Sequence, residues 1–554
     1  MKSLFTLLIL LLVTNSSCSQ VETLLPDKKK KVDRLFERWN KSNSPGMAIG
    51  IISKGKMIYA KGYGLASLEH SITNSSKTVF NIASNSKQFT AACIAILQSK
   101  GKLNVNQTLK NFFPDFSDYA KDITIKHLLH HTSGIRDFSQ ITYLSGLRPD
   151  DYYNDNDILS WINNQKSLNF PPGEQFLYSN SNYWLLGKIV EKVTKMSLAD
   201  FAHKEIFEPL QMVNTRFIDN NSIIINNRAS GYSSIRSGGF RNIISTLEHT
   251  GNGGVYTSVQ DLDKWVNAYF NKTILNDAFW KLMTTKGTLK NEKTIDYAWG
   301  LEIQKYKGLN IIEHGGRVPG YLSEIIRFPD QNFSVIVLTN VSNTNATQLG
   351  YQIADIFLKD QFKEVDFIIP KDPNFIKLPN QVLKQYQGTY WNAKDGYSRE
   401  LMVKNDTLHY MRSSRNTNKL VPVSKNKFKM INTPPEMNVY VEFSKNDMMS
   451  FIENGKTVAS FNKYTLAIYD DKELQNYTGI YYSEEIDTKY EIKQNKNNLQ
   501  LFINGRRSVF LQPIMTNVFN SPMALFLFKG NNKNINDFTV STPRVKNIVF
   551  KRIQ

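Results

Sequence analysis

A serine and a lysine stand three residues apart at Ser84 and Lys87, where a stretch of apolar residues begins. On a helix this spacing places the two side chains on the same face, one turn apart. In a dry pocket, a lysine amine so placed can take the proton of the serine hydroxyl, and the serine oxygen becomes a nucleophile. The free N–H groups at a helix start also favour the negative charge that develops during attack. The pair therefore predicts acyl transfer through serine.

The Ser-x-x-Lys spacing alone is weak support, because the chain is rich in both residues and the spacing recurs at four other places. Context distinguishes Ser84. Residues 88–97 form an unbroken helix-favouring run, whereas the first two of the other pairs enclose a glycine that favours a tight turn. The other pairs are Ser53–Lys56, Ser99–Lys102, Ser424–Lys427 and Ser460–Lys463. We therefore expect Ser84 at the N-terminus of a helix.

A second motif that could do chemistry is Tyr178-Ser179-Asn180, which precedes an apolar helical pattern over Tyr183–Val190. A tyrosine beside a lysine ammonium loses its phenolic proton more readily, and it can then act as a general base toward serine and as an acid toward the leaving group. An asparagine amide can hold a substrate carbonyl. The alternative interpretation is a turn with an aromatic residue beside it.

The third motif is His314-Gly315-Gly316-Arg317, which follows a strand pattern over Leu309–Glu313 and precedes the next strand. Paired glycines would let a substrate backbone lie against the edge of a sheet. The N–H of Arg317 could point at an oxyanion together with the N–H of Ser84. A plain hairpin turn is the alternative interpretation.

In this order and rough spacing, the three motifs resemble those of the serine β-lactamase and penicillin-binding superfamily, in particular its class C-like branch. Residues 128–134 resemble the H-T-S-G segment of that family, and residues 253–262 resemble its G-G-x-x-S-x-x-D-L segment. The resemblance spans residues 30 to 360, roughly, and several motifs in one order are far more specific than any one of them.

The resemblance implies a sheet with helices on both sides and a site between the sheet and a helical lobe. Ser84 would be acylated, Lys87 and Tyr178 would share the proton transfers, and Asn180 would orient the substrate. The implied catalytic residues are Ser84, Lys87, Tyr178 and His314, and the implied substrate-binding residues are Asn180, Gly316 and Arg317.

One departure from the family concerns His314. Familiar β-lactamases of this branch carry a lysine at that position, where the ammonium helps to bind the carboxylate of the antibiotic. A mostly neutral imidazole binds a carboxylate less well. Histidine at this position resembles the esterases and D-amino-acid peptidases of the superfamily, so efficient hydrolysis of antibiotics is not expected.

Neither a metal nor another cofactor is expected. His127, His130 and His131 lie close together in the sequence, but no cysteine or suitably spaced carboxylate completes a set of ligands. The resemblance implies a structural role for this segment. Cys93 lies in the apolar run after Ser84, where a small core residue is the simpler interpretation.

The order of patterns predicts an α+β catalytic domain. Strand patterns lie toward both ends of the domain with helical patterns between them, which favours one antiparallel sheet assembled from both ends and covered by helices. A hairpin is predicted over Gly46–Gly64, and a short amphipathic helix over Val32–Trp39. The later strands are predicted at Trp299–Ile303, Leu309–Glu313, Leu322–Phe328 and Phe333–Leu338, followed by a helix over Gln348–Leu358.

The last third of the chain contains an internal repeat of strand-forming sequence. Tyr386-Gln387-Gly388-Thr389-Tyr390 matches Tyr477-Thr478-Gly479-Ile480-Tyr481, and further matches follow at the same offset. Two small all-β modules, each a closed barrel or a sandwich, are the simplest account. This arrangement resembles D-aminopeptidases, whose barrels are lipocalin-like, although carbohydrate binding or simple spacing remains open. The predicted divisions are a signal peptide over 1–19, a hydrolase domain over 20–365, and β modules over 372–464 and 465–554.

Residues 1–19 predict an export signal, with Lys2, an apolar core over Leu4–Val13 and small residues around Cys18. We therefore expect a periplasmic, membrane-anchored or secreted protein, and lipidation of Cys18 stays open. The net charge of +19 suggests a nucleic-acid partner. Export and the lack of a recognisable nucleic-acid module in the sequence argue against one, and solvated lysines are the simpler explanation.

The expected function is an exported serine hydrolase that forms an acyl-enzyme on small peptides or esters. Substrates containing D-amino acids, such as cell-wall fragments, would suit a D-aminopeptidase, a carboxypeptidase or an esterase. The first alternative is a β-lactamase. The second is a non-catalytic envelope-binding or sensor protein, against which the intact set of Ser84, Lys87, Tyr178 and Asn180 argues.

Overall fold

The computed structural model describes residues 26–554 except 149–150, 273–274, 364–373, 414–415, 434–436, 445–446 and 531–534. The predicted export signal and Cys18 lie outside the described residues. Within them, no helix is both long and apolar enough to cross a membrane. The chain forms two compact units, the first within Met1–Ser139 and Arg148–Lys363 and the second within Gln140–Leu147 and Glu364–Gln554.

A six-stranded antiparallel sheet forms the centre of the first unit. The strands of this unit are β1 Met47–Ser53, β2 Lys56–Tyr63, β3 Leu65–Ser67, β4 Ile72–Thr73, β5 Phe80–Asn81, β6 Arg216–Phe217, β7 Gly231–Ser234, β8 Phe240–Ile243, β9 Val255–Thr257, β10 Glu302–Tyr306, β11 Leu309–Val318, β12 Tyr321–Phe328 and β13 Phe333–Thr339. The main sheet has the order β10-β11-β12-β13-β1-β2, so it joins the two ends of the unit as predicted.

Helices cover both faces of this sheet. They are α1 (residues 26–36), α2 Lys87–Ser99, α3 Ile125–Leu129, α4 Phe138–Leu144, α5 Asp155–Asn163, α6 Asn180–Thr194, α7 Leu198–Ala202, α8 Val259–Asn271, α9 Asp277–Met283 and α10 Ala346–Leu358. Short 3-10 turns lie at Glu37–Trp39, Ala83–Ser86, Leu109–Asn111, Asp118–Asp122, Pro329–Gln331 and Lys359–Gln361, and a π turn lies at His203–Phe207. The helix predicted over Gln348–Leu358 is α10, which begins two residues earlier, at Ala346.

The central strands are apolar because both of their faces are covered. Strand β13 is buried throughout, and β1 is buried up to its last residue. Alternate residues of β1 pack with α1 and α10 in one apolar core. On the opposite face, Gly50 leaves room for α8, since a Cβ atom there would stand 2.6 Å from Val259 Cγ1. The predicted hairpin and the predicted strands Leu322–Phe328 and Phe333–Leu338 are confirmed. The strand predicted at Trp299–Ile303 begins only at Glu302 and continues to Tyr306.

The third motif occupies a different place from the one expected. It was predicted after a strand ending at Glu313, but β11 continues through Val318, and His314-Gly315-Gly316-Arg317 lies inside it. The hairpin interpretation of this motif is therefore wrong. The physical reason is that a glycine within a strand can allow another backbone to approach closely, and the sequence alone does not distinguish such a glycine from one in a turn.

The second unit contains two closed eight-stranded barrels, which confirms the all-β modules and selects the barrel over the sandwich. The first barrel has β14 Gly388–Asn392, β15 Tyr397–Lys404, β16 Thr407–Ser413, β17 Asn416–Pro422, β18 Lys427–Met430, β19 Val439–Ser444, β20 Met448–Glu453 and β21 Lys456–Tyr464. The second has β22 Gly479–Ser483, β23 Thr488–Asn495, β24 Asn498–Ile503, β25 Arg507–Met515, β26 Val518–Asn520, β27 Leu525–Lys529, β28 Asp537–Thr542 and β29 Val545–Arg552. The short helices α11 Asn380–Gln385 and α12 Asp471–Gln475 precede them.

The repeated sequence builds the same corner in both barrels. The hydroxyl of Tyr390 donates to the carbonyl of Tyr386 at 2.9 Å, and the hydroxyl of Tyr481 donates to the carbonyl of Tyr477 at 3.1 Å. The glycine between each pair has a φ of about +140°, a conformation that favours glycine. The repeat is therefore a structural signature of how each barrel begins.

Side chains fill the interior of each barrel. In the second barrel, the rings of Tyr490 and Phe550 stack at 4.0 Å between centroids, and Phe538 stacks on Phe550 at 5.2 Å. In the first barrel, Leu408, Leu420 and Phe428 are fully buried. An eight-stranded barrel is just wide enough for such filling. These interiors serve as cores.

Residues 140–147 belong to the second unit although they are far from it in sequence. The hydroxyl of Tyr490 donates to the carbonyl of Leu144 at 2.7 Å, and Asn504 Nδ2 donates to the carbonyl of Ser145 at 3.2 Å. Arg507 also donates to the hydroxyl of Tyr143. The second barrel therefore holds the C-terminal half of α4, which no sequence pattern indicated.

Candidate active site

Ser84 lies in the 3-10 turn that leads directly into α2. The preceding residue, Ala83, has a φ of +51°, a left-handed conformation that costs a residue with a side chain about 1–2 kcal/mol. Two side chains hold this turn in place. Asn81 Oδ1 accepts from the N–H of Ala83 at 2.8 Å, and Ser323 Oγ donates to the carbonyl of Ile82 at 2.7 Å. The predicted position of Ser84 at a helix start is confirmed.

Gly316 lets strand β11 approach the turn that carries Ser84. A Cβ atom on Gly316 would collide with the carbonyl oxygen of Ile82 and with Ser323 Oγ, and it would stand 3.2 Å from the Cβ of Ala83. The absence of a side chain here is thus a packing requirement. The predicted contact of Gly316 with substrate remains a prediction.

The side chain of Lys87 is buried, and its nitrogen reaches three oxygens. Nζ donates to Ser84 Oγ at 3.2 Å, to Asn180 Oδ1 at 2.9 Å and to the carbonyl of Asn252 at 2.6 Å. The structure therefore brings the first two motifs together. This distance lets the Lys87 amine, when neutral, take the hydroxyl proton of Ser84.

Tyr178 packs over the ammonium of Lys87. Its ring centroid lies 5.0 Å from Lys87 Nζ, within the range of a cation–π contact. The same ring lies 6.2 Å from the ring of His314, so the second and third motifs also meet here. The role of the Tyr178 hydroxyl in proton transfer stays a prediction.

His131 supports the loop that carries Tyr178. Its Nδ1 accepts from the N–H of Ser179 at 3.2 Å and from Asn182 Nδ2 at 3.1 Å. The neighbouring His130 donates through Nδ1 to the carbonyl of Tyr297 at 3.2 Å, and burial lowers its pKa to about 4. Both histidines thus bind other parts of the domain, which agrees with the structural role implied for this segment.

His314 is a neutral residue held by two hydrogen bonds. Its Nδ1 lies 2.6 Å from the carbonyl of Gly315 and must donate, so its Nε2 accepts from the hydroxyl of Tyr297 at 3.1 Å. Burial, and then the charge of Lys87, lower the pKa of His314 to about 3. The third motif therefore supplies no positive side chain at this position at neutral pH.

Arg317 has an exposed side chain on β11. Strand β10 pairs with β11 only as far as Glu313, so that residues 314–318 have β12 as their ladder partner. A strand edge of this kind can offer N–H groups to a substrate or an oxyanion. The oxyanion role of the Arg317 N–H stays a prediction.

Asn252 links the site to a buried histidine. Its carbonyl accepts from Lys87, and its Oδ1 accepts from His249 Nδ1 at 3.1 Å. His249 Nε2 in turn accepts from the hydroxyl of Tyr153 at 3.1 Å, and burial lowers the pKa of His249 to about 4. The hydrogen bond from His249 therefore fixes Asn252, and with it the carbonyl that accepts from Lys87.

Sequence reasoning missed four residues of this site. Asp137 and Ser139 bind the amide of Asn180, Tyr297 binds His314, and Asn252 binds Lys87. Only Asp137 and Asn252 had a local signal, since they stand beside the H-T-S-G and G-G segments. Tyr297 lies in a stretch with no motif.

Comparison with known proteins gives the family. The family model described as Beta-lactamase matches residues 32–356, which hold the three motifs and the whole six-stranded sheet. The chain belongs to the β-lactamase family. The contact between Lys87 and Ser84 agrees with this membership.

Two curated relatives are similar to the chain beyond single motifs. Protein flp of Staphylococcus aureus (strain MRSA252) is 30% identical over 343 residues, which cover 59% of this chain and 66% of that protein. The penicillin-binding protein 4* of Bacillus subtilis (strain 168) is 28% identical over 417 residues, which cover 73% of this chain and 91% of that protein. The chain thus spans just under two thirds of the length of the first relative.

Solved structures show the same fold. The octameric penicillin-binding protein homologue from Pyrococcus abyssi has a TM-score of 0.53 at 25% identity, covering 80% of this chain and 99% of that one. FmtA from Staphylococcus aureus has a TM-score of 0.51 at 22% identity, covering 61% and 90%. The D-amino acid amidase from Ochrobactrum anthropi SV3 has a TM-score of 0.51 at 19% identity, covering 60% and 99%. The last two show the fold alone.

Proposed function

We propose that this protein is an exported hydrolase that forms an acyl-enzyme at Ser84 on small peptides or esters, including those that contain D-amino acids. The observation that carries the proposal is the contact of 3.2 Å between Lys87 Nζ and Ser84 Oγ in a buried setting. Ser84 Oγ would attack the substrate carbonyl while its proton passes to Lys87. The amine or alcohol would leave with a proton, and water would then release the acid.

The state of His314 supports a preference for substrates other than β-lactams. A neutral imidazole that is already hydrogen-bonded to Tyr297 offers no charge to the carboxylate of an antibiotic. A peptide amide or an ester needs no such cation at this position. The D-amino acid amidase with the same fold illustrates one chemistry that this architecture supports.

The first test is the intact mass of the purified protein after incubation with benzylpenicillin. We expect an adduct equal to the mass of the drug on the wild type and none on Ser84→Ala. Ser424→Ala is the matched control, because Ser424 also stands three residues before a lysine but lies in the first barrel, and it should react like the wild type. An adduct on Ser84→Ala would contradict the proposal.

The same measurement distinguishes the proposed peptide or ester hydrolase from a β-lactamase, the alternative that the family membership favours. Rapid consumption of the drug without a lasting adduct would identify a β-lactamase. A lasting adduct would show slow release and direct the search to amides and esters. Paired D- and L-amino-acid amides and esters then test stereochemistry, and we expect faster release of product from the D forms.

The location and partners form a separate part of the proposal. We propose that residues 1–19 export the protein and that cell-wall fragments reach Ser84 outside the cytoplasm. Fractionation of cells tests the export. Cys18→Ser tests anchoring, because loss of the protein from the membrane fraction would indicate a lipid on Cys18, and an unchanged distribution would exclude that anchor.

A further inference from the structure

The side-chain amide of Asn180 lies between an ammonium and a carboxylate. Its Oδ1 accepts from Lys87 Nζ at 2.9 Å. Its Nδ2 donates to the two carboxylate oxygens of Asp137, at 3.3 and 3.2 Å, and to Ser139 Oγ at 3.1 Å. The amide of Asn180 therefore connects Lys87 to the carboxylate of Asp137, a residue that was in none of the motifs of the family resemblance.

The chemistry of the two neighbours determines which way this amide faces. A lysine ammonium only donates hydrogen bonds, whereas an ionised carboxylate only accepts them. If the amide of Asn180 were turned over, its NH₂ would face Lys87 and its oxygen would face Asp137, and both contacts would be lost. Asp137 thus selects the orientation in which Asn180 gives an acceptor to Lys87.

Asp137 is itself rigidly placed. Its side chain is buried, and its Oδ1 accepts from the N–H of Ser139 at 3.0 Å and from Ser139 Oγ at 2.7 Å. The first of these bonds is the contact that an N-cap residue makes with the start of a helix, here α4. Asn180 is equally constrained, because it is the first residue of α6. Two helix starts therefore hold the carboxylate and the amide against each other.

We propose that Asp137 is a positioning residue that acts on Lys87 through Asn180, in two ways. It orients the amide so that Oδ1 holds Lys87 Nζ beside Ser84, and its negative charge, placed across the amide, stabilises the ammonium form of Lys87. The inference rests on the proposed acylation of Ser84, since Lys87 matters as the base of that step.

The experiment measures how fast a fluorophosphonate probe labels the purified protein across a range of pH. In this reaction Ser84 Oγ bonds to phosphorus, fluoride leaves, and the serine proton passes to Lys87, so no knowledge of the natural substrate is needed. We expect Asp137→Asn to lower the maximum rate by about 10- to 100-fold, because the amide is no longer held in one orientation. The acid limb of the profile should also move to lower pH, because the ammonium has lost a neighbouring negative charge.

Two further variants separate charge from geometry. Asp137→Glu keeps the charge, so its acid limb should stay near that of the wild type even if its maximum rate falls. Asp157→Asn is the matched control, because Asp157 makes a similar contact at the start of α5 with the N–H of Asn154. It should leave both the rate and the pH profile unchanged. An acid limb that does not move in Asp137→Asn would overturn the role of the charge.

A double-variant cycle tests whether Asp137 acts through Asn180. In an Asn180→Ala background, Asp137→Asn should lower the maximum rate little further, because the connecting amide is gone, while its effect on the acid limb should remain because charge acts through space. Independent effects of the two substitutions on the maximum rate would overturn the action through Asn180 and indicate that Asp137 supports the fold in this respect. Wild-type protein that is not labelled at all would overturn the proposed function together with this inference, whereas normal labelling of both the wild type and Asp137→Asn would overturn only the inference. Urea unfolding of each variant shows that it is folded.

Discussion

The hydroxyl of Tyr297 lies 3.1 Å from His314 Nε2 and donates to it. Because the other ring nitrogen of His314 donates to the Gly315 carbonyl, this bond satisfies the imidazole in its neutral form. The residue that replaces the lysine of familiar β-lactamases is therefore part of a buried, uncharged network. Its contribution to the site is shape and a fixed tyrosine, with no cation at neutral pH.

Tyr297→Phe tests this network. The substitution removes the donor and leaves the buried Nε2 of His314 without it, so the free energy of unfolding should fall by about 1–3 kcal/mol. Urea unfolding measures the change. The control is Tyr256→Phe, a buried tyrosine for which the described residues show no hydrogen bond of the hydroxyl, and it should change stability less. Equal effects of the two substitutions would contradict the assigned bond.

Gly316→Ala should damage the active site without unfolding the protein. The new methyl group would collide with the Ile82 carbonyl and displace the turn that carries Ser84, and we expect labelling of Ser84 to slow by about 100-fold. The neighbouring Gly315→Ala meets only side-chain atoms, the nearest being Glu324 Oε2 at 3.0 Å, so its effect on labelling should be smaller. A fluorophosphonate assay compares the two. A greater loss in Gly315→Ala would contradict this account.

The raised pKa of Glu324 predicts that the protein loses stability as the pH rises. This residue is fully buried beside Glu313, with a hydrogen bond from Thr347, and burial followed by the charge of Glu313 raises its pKa well above the usual value. A raised folded pKa stabilises the protein at low pH, and this contribution is lost as the pH rises through the folded pKa. Glu324→Gln keeps the shape and cannot ionise.

The measurement for Glu324 is the free energy of unfolding between about pH 5 and pH 9, roughly two units on either side of neutrality. The wild type should lose stability as the pH rises, and Glu324→Gln should lose less. Glu442→Gln is the control, since Glu442 is a partly exposed residue paired with Lys427 in the first barrel. Parallel curves for wild type and Glu324→Gln would show that Glu324 is already ionised in the folded protein across this range, and would contradict its raised pKa.

Residues 140–147 should depend on the second barrel for their order. Tyr490→Phe removes the hydrogen bond to the Leu144 carbonyl while keeping the ring in the barrel core. We expect faster hydrogen exchange at the amides of Ser145, Gly146 and Leu147, because the turn that holds them loses an anchor. Tyr481→Phe removes a hydrogen bond within the barrel and is the control. Equal exchange in the two variants would contradict the dependence.

Much of the fold could be predicted because its signals are local. The hairpin β1–β2, the closing strands and α10 follow from periodicity and turn residues, and the two all-β modules follow from the matching of Tyr386 to Tyr477. The placing of Ser84 and Lys87 at a helix start was predicted in the same way, since the two residues are one turn apart. The C-terminal end of β11 was not predicted, because a pair of glycines is as compatible with a turn as with a strand that another backbone approaches closely.

The sequence by itself determined which chemical groups this protein carries and in which elements they lie. The hydroxyl and amine at Ser84 and Lys87 and the two all-β modules follow from residue types and spacings, and the family follows from the resemblance of the ordered motifs. Only the tertiary structure decided that His314 is buried and bonded to Tyr297, that Gly316 is a packing residue and that Asp137 faces Asn180. The physical reason is that charge state and orientation depend on burial and on partners distant in the chain, as Tyr297, Ile82 and Asp137 are, and local pattern carries no record of such partners.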